Sequence, residues 1–258
     1  MISMKNYILN KTNWKSLQEE QFGIALLPWG ATEPHNLHLP YGTDTLQSEK
    51  IAEMTAAKAY AEGTKVMVLP AIPLGVQNPG QVDYPFCLNT SPGTQLAILR
   101  DIMTSLDRQG IAKLVIINSH GGNDFKPLIR ELQLQFETSF IGLIDWFRVM
   151  ENKDYFDEPG DHAGEMETSI MQYFFPDDVL PLDQAGLGQT KAFGLKGLKD
   201  KLAWTPRNWQ KVSADTGVGN PQRASAQKGE RFLEALTDQM KAFLVELDQV
   251  APQDIYSS

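Results

Sequence analysis

Cysteine occurs once and histidine four times in the 258 residues. A lone Cys87 excludes an internal disulfide and a thiolate-based zinc cluster, and it fits a reducing, cytoplasmic setting. Its surroundings, Tyr84-Pro-Phe-Cys-Leu88, read as a buried structural thiol rather than a nucleophile. No apolar run approaches the ~18 residues of a membrane span, and Asn10 with the nearby lysines interrupts any secretory apolar core near the start. Basic residues are in deficit: 23 Lys and Arg against 32 Asp and Glu give a formal net charge of -9. That balance opposes a phosphate-tracking surface, so nucleic acid and anionic membrane are excluded as expected partners and a small-molecule substrate is favoured. Internal repeats and low-complexity tracts are also missing.

What is present reads as one soluble α/β domain spanning 1–258, with 42% hydrophobic and 21% charged residues. Short β-branched runs at 22–28, 65–70, 113–118 and 139–146 alternate with helical patterns at 44–63, 92–110 and 126–136. Pro92 stands near the start of the second helix and Gly110 beyond its end; Asn123 or Asp124 is placed to cap the third. Strands and helices alternating at this spacing predict a mostly parallel sheet covered on both faces, a three-layer α/β/α sandwich. The pattern weakens over 176–220, which reads as a long loop or lid with short helical pieces. An amphipathic helix over 224–250 closes the chain.

All four histidines fall in segments that also hold carboxylates, glycines or both. They are His35 and His38 in Glu33-Pro-His-Asn-Leu-His-Leu-Pro-Tyr-Gly-Thr-Asp44, His120 in Asn118-Ser-His-Gly-Gly-Asn123, and His162 in Asp161-His-Ala-Gly-Glu-Met-Glu-Thr-Ser169. Two of these motifs follow expected strands directly, where parallel sheets place their ligand sites. Glu33 and His35 face the same way in an extended segment. Asp44 at a helix start can present one oxygen to each of two ions, as a metal pair ~3.5–4 Å apart requires. Asp161 is the expected cap of a helix on which His162 and Glu165 share a face. Taken alone, His38 reads as a supporting or ordinary residue, Gly121-Gly122 as a turn, and 161–167 as a charged helix start. Their joint occurrence points to one site for Zn²⁺, Mn²⁺ or a similar ion, and to hydrolysis.

These motifs resemble the creatininase (creatinine amidohydrolase) family. The family's Glu-x-His-Gly-x-His-Leu-Pro and following Asp are matched by Glu33 to Pro40 and Asp44, its Ser-His-Gly-Gly-Asn by 119–123, and its His-Ala-Gly-x-x-Glu-Thr-Ser by His162 to Ser169. A weaker match covers Thr216 to Pro221 with Ala224, Lys228 and Gly229. The resemblance implies a binuclear centre of zinc and/or manganese and a homo-oligomer such as a hexamer. It implies Glu33, Asp44 and His120 on one metal, His35 and the bridging Asp44 on the other, and His162 as the proton-transfer residue. Creatininase has a further carboxylate ligand two residues after the motif histidine, and Gly122 stands there in this chain. Glu167 is the substitute, as metal ligand and catalytic residue. Asn36 replaces a glycine beside the metals, and Glu158 replaces a tryptophan that closes over substrate. Trp146 aligns loosely with another site tryptophan, while Trp204 and Trp209 lie in the expected lid.

The activity implied is hydrolysis of a non-peptide C–N bond in a small cyclic amide or formamide, with creatinine itself unsupported. Two other readings use the same residues: opening of a cyclic keto-sugar or cyclitol at a C–C bond, and a non-catalytic metal- or ligand-binding member of the family.

Overall fold

In the computed structural model, which describes residues 6–256, every position of the first strand is buried: β1 (Ile24–Trp29) reads Ile-Ala-Leu-Leu-Pro-Trp. A strand apolar at consecutive positions needs cover on both faces, and β1 lies inside a parallel sheet with β2 (Val66–Val68), β3 (Lys113–Asn118) and β4 (Phe140–Asp145). The order is β2-β1-β3-β4, with Ile24 opposite Val66 on one side and Lys113 on the other. Pro28 is tolerated in this central strand because its missing N–H faces the side on which β2 has ended: Leu69 N and Ile72 N already reach the Leu26 and Pro28 carbonyls there.

Side-chain alternation sorts the core into two layers. Ile24, Leu26, Val115 and Ile117 meet α1 (Thr43–Ala61), α4 (Glu165–Phe174) and α5 (Ala226–Gln249), whereas Ala25, Leu27, Leu114 and Ile116 meet α2 (Pro92–Arg108) and α3 (Phe125–Gln133). The result is the expected three-layer sandwich. Helix starts follow local chemistry: Ser91 accepts from Thr94 N ahead of Pro92, and Ser225 accepts from Lys228 N ahead of α5.

Three local expectations change. Asp124 occupies the cap position of α3 without bonding it, while Asn123 spends its side chain on Val76 N, Gln95 and Asn118. Asp161 does not cap α4; it lies in β5 (Gly160–His162), which pairs antiparallel with β6 (Val218–Gly219), and the α4 cap position is Gly164. Residues 176–220 carry short helical turns together with β6, and Trp209 is buried there while Trp204 is 85% exposed. Cys87 is half-buried rather than fully enclosed, and burial pushes its thiol up to about 12, which leaves it inert. Among the described residues no helix is long and apolar enough to cross a membrane. The reading of the chain's start as lacking a signal rests in part on residues 1–5, outside the described residues.

Candidate active site

Because β2 and β3 lie on opposite sides of β1, the chain switches direction between β1 and β3, the place where open parallel sheets hold ligands. The segment after β1 carries Glu33 and His35, the first turn of α1 carries Asp44, and the residue but one after β3 is His120. His162 comes from β5 and Glu167 from the first turn of α4. All six are buried. A left-handed turn at Ala163, φ 50°, swings the chain from β5 into α4, and the Ala163 N–H donates to the Glu167 carboxylate.

The three site histidines are prepared alike. His35 donates Nδ1–H to the Glu33 carbonyl (3.0 Å), His120 donates Nε2–H to the Val76 carbonyl (2.9 Å), and His162 donates Nε2–H to the Pro34 carbonyl (2.9 Å). Each ring thus turns its other, bare nitrogen inward. His35 Nε2 lies 3.1 Å from Asp44 Oδ1, His120 Nδ1 lies 3.1 Å from both Glu33 Oε1 and Asp44 Oδ2, and His162 Nδ1 lies 3.6 Å from Glu33 Oε1. A main-chain acceptor that fixes the tautomer and orientation of a ligand histidine is the usual outer support of a metal site.

Glu33 Oε1 and Asp44 Oδ2 have no hydrogen-bond donor, although both are buried. With the Nε2–H of His120 committed to Val76, its lone pair would oppose theirs unless a proton or cation stood between. The metal-free electrostatics say the same. Burial disfavours charge on His35, yet Asp44, by charge and hydrogen bond, together with Glu167 and Glu33, outweighs it and pushes the imidazole up to about 10. His120 is raised well above its ordinary value by Glu33 and Asp44 against burial. Glu33 and Asp44 are both held low, against burial, by the facing histidines. Burial lifts Glu167 to about 7, and it lowers His162 with help from the neighbouring His35.

Ligand atoms converge in three sets, each within 4.8 Å: Glu33, Asp44 and His120; His35, Asp44 and Glu167; and Glu33, His35 and His162. The donors are imidazole nitrogen and carboxylate oxygen, which fits zinc or manganese. Asp44 belongs to the first two sets, offering a different oxygen to each histidine.

Several expected roles move. Glu165 does not join His162; it turns to accept from Asp157 N, Glu158 N and Lys228. Trp146 lies in the core, donating to Ser119 Oγ, and does not reach the site. Asn36 does not face the metal ligands: its amide bonds both N–H and carbonyl of Gly186, and its φ of 55° is one that asparagine tolerates. His38 is a supporting residue, 2.9 Å from Thr168 Oγ1. A side chain at Gly122 would overlap the Val76 carbonyl and the His120 ring, so this backbone closes that position to any carboxylate.

Gln81 carried no sequence signal, and Trp209 was placed by the sequence only in the expected lid. Gln81, buried in a turn, donates Nε2–H to Glu33 Oε2 while its own carbonyl accepts from Asn78 N. Trp209 packs edge-on against His162, ring centres 5.1 Å apart, with the Arg207 guanidinium over its face at 4.7 Å and Arg207 paired to Asp161. Only the approach of distant segments reveals either one.

A layered α/β/α domain that gathers buried imidazoles and carboxylates at its strand ends defines a class of α/β proteins with a ligand set suited to divalent metal. The creatininase (creatinine amidohydrolase) family model matches residues 10–244, and the chain belongs to this family. A crystal structure of a candidate creatinine amidohydrolase from Bacteroides fragilis NCTC 9343 is 43% identical, with a TM-score of 0.93 over 98% of this chain and 99% of that one. Creatininase itself shares the fold at a TM-score of 0.78 and 20% identity, covering 96% of this chain and all of that one. Its structures include a zinc–zinc form of a variant and a manganese form. Relatives by sequence include the mycofactocin precursor peptide peptidase of Mycobacterium tuberculosis, 28% identical over 83% of this chain and 81% of its own. Another is the 3-dehydro-scyllo-inosose hydrolase of Thermotoga maritima, 25% identical over 90% of this chain and 80% of its own. These relatives are hydrolases, and creatinine amidohydrolase among them acts on a C–N bond.

Proposed function

We propose that this protein is a metal-dependent amidohydrolase that cleaves a non-peptide C–N bond in a small cyclic amide or formamide. The observation that carries the reading is Asp44, which faces both ligand sets with a separate oxygen for each, one of them without a donor. Glu33, Asp44 and His120 would hold one divalent ion, and His35, Asp44 and Glu167 the other. Zinc or manganese bound there supplies Lewis-acid polarisation of the scissile carbonyl and lowers the pKa of water toward ~7.

The side chains supply the rest. Glu167 stands in for the carboxylate that cannot be built at Gly122, and the Ala163 N–H aims it. His162 accepts a proton at Nδ1 and returns it to the leaving nitrogen, while the bond from Nε2–H to Pro34 and the Trp209 edge keep its ring from turning. Its lowered pKa keeps it neutral, and so able to accept, near pH 7. Gln81 holds Glu33 so that Oε1 faces His120.

The test is turnover of the metal-loaded protein on a panel of cyclic amides, formamides and cyclitol ketones. Opening of a cyclic amide to an acid that carries the freed nitrogen in the same molecule, or release of formate from a formamide, is expected. Ring-opened acid from a cyclitol ketone, with every amide left intact, would establish the C–C reading instead, and at most one bound ion with no turnover would establish a non-catalytic protein.

A further inference from the structure

A cavity of about 530 Å³ opens onto His162 and Glu167. Met150, Phe156 and Met166 contribute apolar wall, and Glu158 lies on the lining with them. We propose that this cavity is the substrate pocket and that it takes an amide bearing a positively charged amino or guanidino group, which pairs with Glu158. The inference rests on the reading of His162 and Glu167 as residues of the reacting centre.

Of the charges on the lining, Glu158 stands apart: the cation Arg148 lies 3.7 Å from Asp145, which is off the lining, and the other carboxylates have partners. Asp157 is paired with Lys228 at 2.7 Å and Arg223 at 3.7 Å, Asp161 with Arg207 at 3.1 Å, and Glu151 with Lys153 at 3.8 Å. Glu165 is satisfied by Lys228 and two main-chain N–H groups. Among the described residues, the half-buried Glu158 carboxylate makes neither an ion pair nor a hydrogen bond. An unpaired charge on a partly enclosed wall favours a ligand of opposite sign and repels one of like sign.

The wall that carries it is held in place before any ligand arrives. The Asp157 and Glu158 N–H groups both donate to Glu165, at 2.8 and 2.6 Å, and Glu165 is anchored in α4 and gripped by Lys228 from α5. Pairing with Glu158 therefore demands little ordering of the backbone, which favours binding of a small ligand. Apolar wall beside a single carboxylate suits a short alkyl chain ending in a cation.

Binding of n-butylguanidinium and of the neutral n-butylurea to the metal-loaded protein tests the proposal, by calorimetry or ligand-observed NMR. The cation is expected to bind about 10-fold more tightly, the magnitude of one charge-assisted hydrogen bond. Glu158→Gln should abolish that preference with metal content unchanged, and Glu151→Gln should leave it intact. Equal affinities, no binding of either probe, or a preference that survives Glu158→Gln would overturn the proposal. Because no hydrolysis is read, failure of the amidohydrolase reading shows in the product assay and not here.

Discussion

Each inward-facing imidazole of the site is fixed by a hydrogen bond to a main-chain carbonyl, so its ligand nitrogen is set by the backbone and not by the ion. Asp44 differs, since it is the residue that the Glu33–Asp44–His120 and His35–Asp44–Glu167 sets share, with a separate oxygen facing each histidine. Asp44→Ala is expected to abolish tight binding of both ions, measured by metal analysis after dialysis; two tightly held ions in that variant would remove its bridging role. His162→Ala should instead keep the metals and lower turnover by ~10²-fold or more, as loss of a general acid or base does. Loss of metal in His162→Ala would make it a ligand, a role that its place in the third convergent set would then explain.

At the scale of elements, the site depends on how closely α4 and α5 cross. A Cβ at Gly229 of α5 would run into the main chain of Ser169 in α4, and Ser225 N donates to Ser169 Oγ just beside that crossing. Lys228, the neighbouring residue, reaches Glu165. Gly229→Ala should push the helices apart and destabilise the fold by ~1–3 kcal/mol, the range for an overfilled core. Thermal unfolding checks this. A melting temperature equal to that of the wild type would show that the crossing has slack. Metal affinity should fall as well, because α4 carries Glu167.

For the molecule as a whole, the buried charges tie stability to pH and metal. His35, raised from 6.5 to about 10 in the metal-free protein, contributes stability that is fully present below about pH 6.5 and lost as pH rises through 10. Glu167, raised from 4.5 to about 7, is more stable neutral, so its ionisation costs stability as pH rises from 4.5 through 7. Glu33 and Asp44 act in the opposite sense, their contribution being present above the ordinary carboxylate range and lost as pH falls below it. Chelator-treated protein should therefore melt at a lower temperature at pH 9 than at pH 6. Saturating zinc or manganese should shrink that difference, because the ion replaces the proton on His35 and His120 and stabilises the folded state by mass action. A chelated protein that melts higher at pH 9 would contradict this linkage.

Much of this was legible along the chain. Strand runs apolar at every position require cover on both faces, and the helix patterns between them supply it, so the layered sandwich follows from periodicity. Glu33, His35, Asp44, His120, His162 and Glu167 stand out because imidazoles and carboxylates rarely cluster without a reason, and all six do converge. Sequence spacing misplaced Asp161, Glu165 and Trp146, since each depends on where a helix begins or which face of the sheet a side chain meets. Gln81, the contact of the lid residue Trp209 with His162 and the support of Glu158 by Glu165 were invisible for a related cause: each depends on the packing of separate segments, and only packing decides which residues touch. The chain by itself determined which chemistry the site can hold. The tertiary structure decided the orientation of each histidine, the closure of Gly122 and, among the described residues, the lack of a partner for the Glu158 carboxylate on the cavity wall, because those are set by contacts between segments and not by residue type.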